Sequence, residues 1–298
     1  MPIIINTNTS SLNAQRLLSQ NSGMVAKSLE KLASGYRINR AGDDAAGLQI
    51  SESLRAQIRG SKKALDNVQD GINFLQYVDG ALQTEQDIVQ RIRELMVQAA
   101  NDTYRGTGRA AIREEVNRLM EAIQQIAQST QFNGRFPISP NSSTLIPSFM
   151  IQAGPNGTSN DQIDLSSIIG RMDRSGLGLG NTPLTAGNFS TSNQALDFIR
   201  VRIDLPIQPS GQGGAMAELN ERRATIGAMI NRLEAAAANL SIGIENLSAS
   251  ESRIRNADVA AESAALTRHQ ILQQSSATVL TQANQSPSIA LQLIRGQK

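Results

Sequence analysis

One periodicity constrains this chain more than any other feature. From Val68 to Met96 apolar residues recur every seven positions, with Val68, Leu75, Leu82, Val89 and Met96 in one series and Phe74, Ala81, Ile88 and Leu95 in the series beside it. Val78 and Ile92 occupy a third track, which makes the apolar face too broad for a thin two-stranded seam and predicts a helix with more than one neighbour. A helix running from about Ala45 to Ala99 would be on the order of 80 Å long at 1.5 Å per residue. After the polar turn "NDTYRGTGRA" a second helical pattern places Ile112, Val116, Leu119, Ile123 and Ile126 at alternating spacings of four and three. A short connection between two such helices implies an antiparallel pair. Far along the chain, Leu219, Ile226, Leu233, Leu240, Leu247 and Ile254 form another sevenfold series. Met216, Ile230, Ala237 and Ile244 accompany it, interrupted by Arg223 and Glu251. Three rod-like helices from opposite ends of the chain are therefore expected side by side.

Between them the composition changes. Residues from about Gly134 to Asn193 are rich in Gly, Pro, Ser, Thr and Asn, and "SFMIQAG" and "DQIDLSS" read as short strands of a hairpin. A further break is expected at "IDLPIQPSGQGG", residues 203–214, because Pro206 and Pro209 remove backbone donors, so the last rod helix should start near Ala215. The outer ends are poor in charge and rich in Ala, Ser, Gln, Asn and Leu, with helical spacing. Isolated helices of that kind are marginal in water, and copies of the same chain could supply the surface they lack.

Composition removes most chemistry. There is one histidine, His269, and no cysteine, so neither a zinc site of the usual His/Cys type nor a Cys–His nucleophile pair can be assembled. No phosphate-loop, zinc-peptidase or serine-elbow string occurs, and no metal or other cofactor is expected. The net charge is +2 and aromatics are 3%, with basic residues interleaved among acids, which argues against nucleic acid as a partner. No apolar run is long enough to span a bilayer, and "MPIIINTNTSS" lacks the basic and apolar regions of a general secretory signal. The loop "SGYRINRAGDDAAGLQIS" invites a catalytic reading, since Asp43 and Asp44 are paired acids flanked by Arg37 and Arg40. The competing reading is an acid capping the helix that begins near Ala45.

The terminal strings resemble bacterial flagellin. "INTNTSSLNAQ", "LEKLASGYRINRAGDDAAGLQISE", "GINFLQYVDGALQ", "QRIRELMVQAAND" and "QSTQFNG" are similar to the family's N-terminal region. "GAMINRLEAAAANL", "ENLSASESRIRNADVAAE", "QILQQSSATVLTQANQSP" and "LQLIRG" are similar to its C-terminal region. The resemblance covers about residues 3–133 and 216–296, in order.

It implies a mainly α fold: a long helical-bundle rod with a small β-hairpin element, plus paired N- and C-terminal coiled-coil helices. Carried onto this chain, an inner coiled-coil layer comprises 1–44 with 256–298, the rod comprises 45–185 with 194–255, and a linker at 186–193 stands where many relatives insert outer domains. The implied function is that of a non-enzymatic subunit that self-assembles into the flagellar filament, the motility propeller. A hook-filament junction protein, which shares such ends, is the alternative. The implied partners are the chain itself, the flagellar cap and hook-junction proteins, an export chaperone and a vertebrate innate immune receptor. The implied location is an extracellular filament reached by the flagellar type III route, or a periplasmic filament. By motif position Arg91, Leu95 and Glu115 are the candidate receptor contacts, and Arg40, Asp43 and Asp44 lie at the joint between inner layer and rod.

Overall fold

The computed structural model describes residues 7–138, 149–166, 168, 170–180, 183–185, 187, 189, 191–204 and 213–295, with side chains described up to residue 285 at the C-terminal end. Its helices are α1 (Thr9–Ser34), α2 (Ala45–Ala99), α3 (Thr107–Ser129), α4 (Ser192–Phe198), α5 (Ala215–Arg255) and α6 (Val259–Arg295), and its strands are β1 (Met150–Gln152) and β2 (Gln162–Asp164). The chain divides into two compact units, residues 1–57 with 245–298 and residues 58–244.

The larger unit is built on the sevenfold tracks. Val68, Leu75, Val89, Ile92 and Met96 of α2 are 0% exposed, as are Val116, Met120 and Ile123 of α3 and Leu219 and Leu233 of α5. These faces, with Phe74, Leu82 and Ile226, form one apolar cluster. Burial weakens along α5 beyond Leu233, since Ala237 and Leu240 are only partly covered. Arg223, which interrupts the α5 pattern, turns to Asp79 of α2 at 2.8 Å and also donates to Gln86. The α2–α3 corner is closed by Arg109: its guanidinium donates to the Ala99 carbonyl at 3.0 Å and to Asp102, satisfying an acceptor that the end of α2 leaves free.

β1 and β2 pair antiparallel with Ile151 opposite Ile163. Phe149, just before β1, stacks on Phe74 of α2 at 4.4 Å, and Phe132 meets the same ring edge-on at 5.2 Å. Gly71 lets Ile151 approach α2, because a Cβ there would lie 3.2 Å from the isoleucine side chain.

Two differences from the sequence reading stand out. The stretch read as a linker at 186–193 includes the start of α4, where Thr191 and Gln194 form a capping box. α4 then widens into a π-helical turn, Ile199–Ile203, that buries both isoleucines. Residues 205–212, which hold Pro206 and Pro209, lie outside the described residues. Among the described residues no helix is long and apolar enough to cross a membrane, and no group of three potential ligands could hold a metal ion.

Candidate functional site

The terminal unit pairs α1 with α6, and its hydrogen bonds set an antiparallel register. Asn8 donates to the Ala283 carbonyl, Ser11 to Asn284 and Asn21 to Ser276, while Lys31 pairs with Glu262, so each step along α1 is matched by a step back along α6. The less exposed positions of α1 are Ser11, Ala14, Leu18, Asn21, Val25, Ser28 and Leu32, alternating three and four apart. On α6 the matching set is Glu262, Leu266, His269, Gln273, Ser276, Leu280 and Ala283. This is a heptad seam, but much of it is small or polar. Ala14 and Ser28 are its most buried α1 members, at 3% and 4%.

Leu18, Val25, Leu32, Leu266 and Leu280 share the seam, while the other large apolar side chains point away from it. Leu12, Met24 and Leu29 of α1 are 58%, 47% and 50% exposed, and Val259, Ile271 and Val279 of α6 are 60%, 58% and 57% exposed. Leu17 and Leu272 add to the same outward faces at 43% each. Apolar surface of this extent on a paired element marks an interaction site.

The segments that close this unit are held by a compact polar network. α1 ends at Gly35, whose φ of +74° forms a left-handed C-cap that a side chain would strain. From there the backbone runs antiparallel to the α5–α6 break: the Arg37 N–H donates to the Arg255 carbonyl and the Ala257 N–H to the Gly35 carbonyl. Arg255 lies 4.9 Å over the Tyr36 ring and ion-pairs with Glu52. Asp258 then caps α6 by accepting from the Ala260 and Ala261 N–H groups.

The paired acids divide their work. Asp44 accepts from the Gly47 N–H at 2.8 Å, which makes it the N-cap of α2. Gly47 is required by that contact, since a Cβ would sit 2.4 Å from the Asp44 carboxylate and 2.8 Å from Ile38. Asp43 instead braces its own loop, accepting from the Asn39 and Arg40 N–H groups and from Lys27 of α1 at 2.7 Å. The lysine contact and then the two backbone donors hold its carboxyl down at about 2. Arg40 pairs with Glu30 at 2.8 Å. Arg40 and Asp43 therefore meet in one network within the terminal unit, while Asp44, beside them in the chain, is committed to the first turn of α2. Tyr36, Arg255 and Glu52 form a second cluster in the same unit, which the sequence reading did not single out.

In the larger unit, Arg91 of α2 reaches Glu115 of α3 at 3.0 Å and Glu94 at 3.2 Å. Both partners of the Arg91–Glu115 pair are about half exposed. Leu95 does not share that surface, being 2% exposed in the core beneath it.

Comparison with known proteins adds a further set of findings. The family described as bacterial flagellin N-terminal helical region matches residues 5–142, and the bacterial flagellin C-terminal helical region matches residues 211–294. The chain is 41% identical to a flagellin of Halalkalibacterium halodurans, covering 98% of this chain and 100% of the relative. It is 39% identical to Flagellin FlaB2 of Treponema pallidum, over 98% and 100% of the two chains. It is 40% identical to the flagellar filament 33 kDa core protein of Treponema phagedenis, again over 98% and 100%.

Proposed function

The chain belongs to the bacterial flagellin family, and from that premise we propose how its two units serve a filament. It is a short-form structural subunit, not an enzyme, that polymerises with copies of itself into the flagellar filament used for motility. That filament is an extracellular or periplasmic structure.

In the proposed division of labour, residues 1–44 with 256–298 form an inner layer of the filament, residues 45–185 with 194–255 form the rod outside it, and the short linker at 186–193 runs into the first residues of α4. Arg40, Asp43 and Asp44 set the direction in which the chain leaves α1 for α2. The observation that supports this reading is the outer face of the α1–α6 pair, where Leu12, Met24, Ile271 and Val279 are left exposed beside a seam that is largely small and polar. Full burial of each such side chain contributes about 1.5 to 3 kcal/mol, and only neighbouring subunits can provide it. Subunits reach the distal end unfolded through the flagellar type III route, guided by an export chaperone, and fold there beneath the cap, above the hook-junction proteins.

Deleting 1–44 and 256–298 tests the proposal. The remaining chain keeps the apolar cluster of the larger unit and is expected to fold while forming no filaments by electron microscopy. Limited proteolysis of the intact protein should cut the ends in the monomer and spare them in the polymer. Normal filaments from the shortened chain, or equal protection of the ends in both states, would overturn it.

The same larger unit presents Arg91 and Glu115 to a vertebrate innate immune receptor, with Leu95 supporting them from the core. Replacing both polar residues by alanine should leave helical content unchanged and weaken binding of the soluble subunit. Absence of binding by the unaltered subunit would sink this part of the reading.

A further inference from the structure

The third apolar track of α2 is broken at its midpoint. Seven residues after Val78 and seven before Ile92 stands Glu85, where the periodicity calls for an apolar side chain. The structure does not turn it outward. Glu85 is 0% exposed, alongside Val78 at 2% and Ile92 at 0%, and neither carboxyl oxygen has a hydrogen-bond partner among the described residues. A buried carboxylate without partners is among the least favourable arrangements a core can contain, whereas the neutral acid is tolerable.

Among the described residues no cation pairs with Glu85. Asp173, in the 171–180 segment, is the charged group that acts on Glu85, and it repels. The Asp173 carboxylate is itself 8% exposed and committed to the Gly176 N–H at 2.8 Å and Arg171 at 3.2 Å. Arg174 lies in the field of Glu121 of α3, and Arg118 of α3 pairs with Glu114 and Glu121. On α5, Arg222 is held by Glu218 and Arg223 by Asp79. Burial, followed by the Asp173 charge, pushes the Glu85 carboxyl up to about 8.

The segment carrying Asp173 is a small closed element. The Leu177 N–H donates to the Asp173 carbonyl and the Leu179 N–H to the Arg174 carbonyl, and a Cβ on Gly176 would lie 1.8 Å from the Arg171 oxygen. The segment is tied to the residues after α3 through the Met172 N–H and the Ile138 carbonyl at 2.8 Å, and Leu177 and Leu179 insert into the core.

We infer that Glu85 is a proton-operated latch: with its proton in place the side chain packs as a core residue and the 171–180 segment stays seated, and loss of that proton sets Glu85 against Asp173 and lifts the segment. The ligand is a single proton, and the two states are the seated and lifted segment. When the segment lifts, Glu85 meets water and behaves as an ordinary glutamate with a pKa of 4.5. Seating is therefore favoured most below pH 4.5 and weakens up to about pH 8, above which it levels off. Across that window each opening releases one proton, so the opening constant rises about tenfold per pH unit.

Hydrogen exchange on the full-length monomer reads this directly. Rates at the Met172, Leu177 and Leu179 amides, each divided by the unstructured rate at the same pH, give the opening constant. Between pH 5.5 and 8 it should rise about 140-fold in the native chain, somewhat less than tenfold per unit because the seated carboxyl, at about 8, is half ionised at the upper end. In Glu85→Gln, which keeps the shape of the neutral acid, it should stay flat. If that variant does not fold, Glu85→Met, which completes the apolar track, is expected to give the same flat profile. A flat profile in the native chain would overturn the latch. So would an unchanged slope in the variant that folds, or an equal slope at α2 core amides such as Val89.

Discussion

Both units are made of helices with sevenfold patterning, yet they differ in how many of their large side chains that pattern covers. In the larger unit Phe74, Leu75 and Leu82 of α2 are at most 1% exposed and meet apolar partners from α3, α5 and the segments beside them. In the terminal unit the seam is held by Ala14, Asn21, Ser28 and Ser276, and Leu12, Leu29 and Ile271 are half exposed or more. The difference teaches that one periodicity can serve two purposes. Where apolar residues fill the seam, the helices stabilise each other; where Ala, Ser and Asn share it with leucines, the helices hold a register and leave apolar surface exposed, the surface proposed above to meet copies of the chain. Hydrogen-bonded polar seam positions are well suited to that task, since they specify alignment at some cost in stability.

The largest test of this contrast is a core truncation. Phe74→Ala removes a ring that stacks on Phe149 and meets Phe132, and it should destabilise the larger unit by about 3 to 5 kcal/mol in urea unfolding followed by circular dichroism. A loss below 1 kcal/mol would show that the aromatic cluster does not hold the hairpin on α2.

A smaller effect is expected where α2 begins. Asp44→Ala deprives the Gly47 N–H of its acceptor and should cost about 1 kcal/mol, visible as faster hydrogen exchange in the first turn of α2. Asp43→Ala should leave that turn alone and loosen residues 39–43, because its donors are Asn39, Arg40 and Lys27. Identical exchange patterns in the two variants would break the assignment of separate roles.

Smaller still is the effect of Leu12→Ala on the monomer, within about 0.5 kcal/mol, because the side chain is already 58% exposed. The same variant should need a higher subunit concentration to polymerise. A large loss of monomer stability with unchanged assembly would reverse the contrast between the units.

The mildest prediction concerns acid. Asp43 has its carboxyl lowered from 3.8 to about 2. A lowered carboxyl contributes stability that is complete above the unfolded value of 3.8 and is lost as pH falls through about 2. A carboxyl NMR titration should place its midpoint near 2, and a midpoint near 3.8 would mean that the contacts from Lys27 and the loop N–H groups do not persist in solution.

Much of this was legible residue by residue. The tracks through Leu75, Val116 and Leu219 named the buried faces of three helices, and the Gly- and Pro-rich middle marked where β1 and β2 interrupt them. The paired acids announced a helix start, although nothing in the string said which of them would cap it. α4 escaped notice because its seven residues are too few for a period to register.

Local periodicity was readable because a helix presents its faces at spacings that the chain carries along its own length. The amino-acid sequence by itself therefore determined which helices form, which stripe of each is apolar, and that the ends are poor in charge. Tertiary structure decided which stripe meets a partner. It put Asn21 against Ser276 and left Leu12 outside, placed Leu95 beneath Arg91 rather than beside it, and enclosed Glu85 where Asp173 is its charged neighbour. Those outcomes depend on residues tens to hundreds of positions away, and burial is a property of the pair that meets, not of either segment alone.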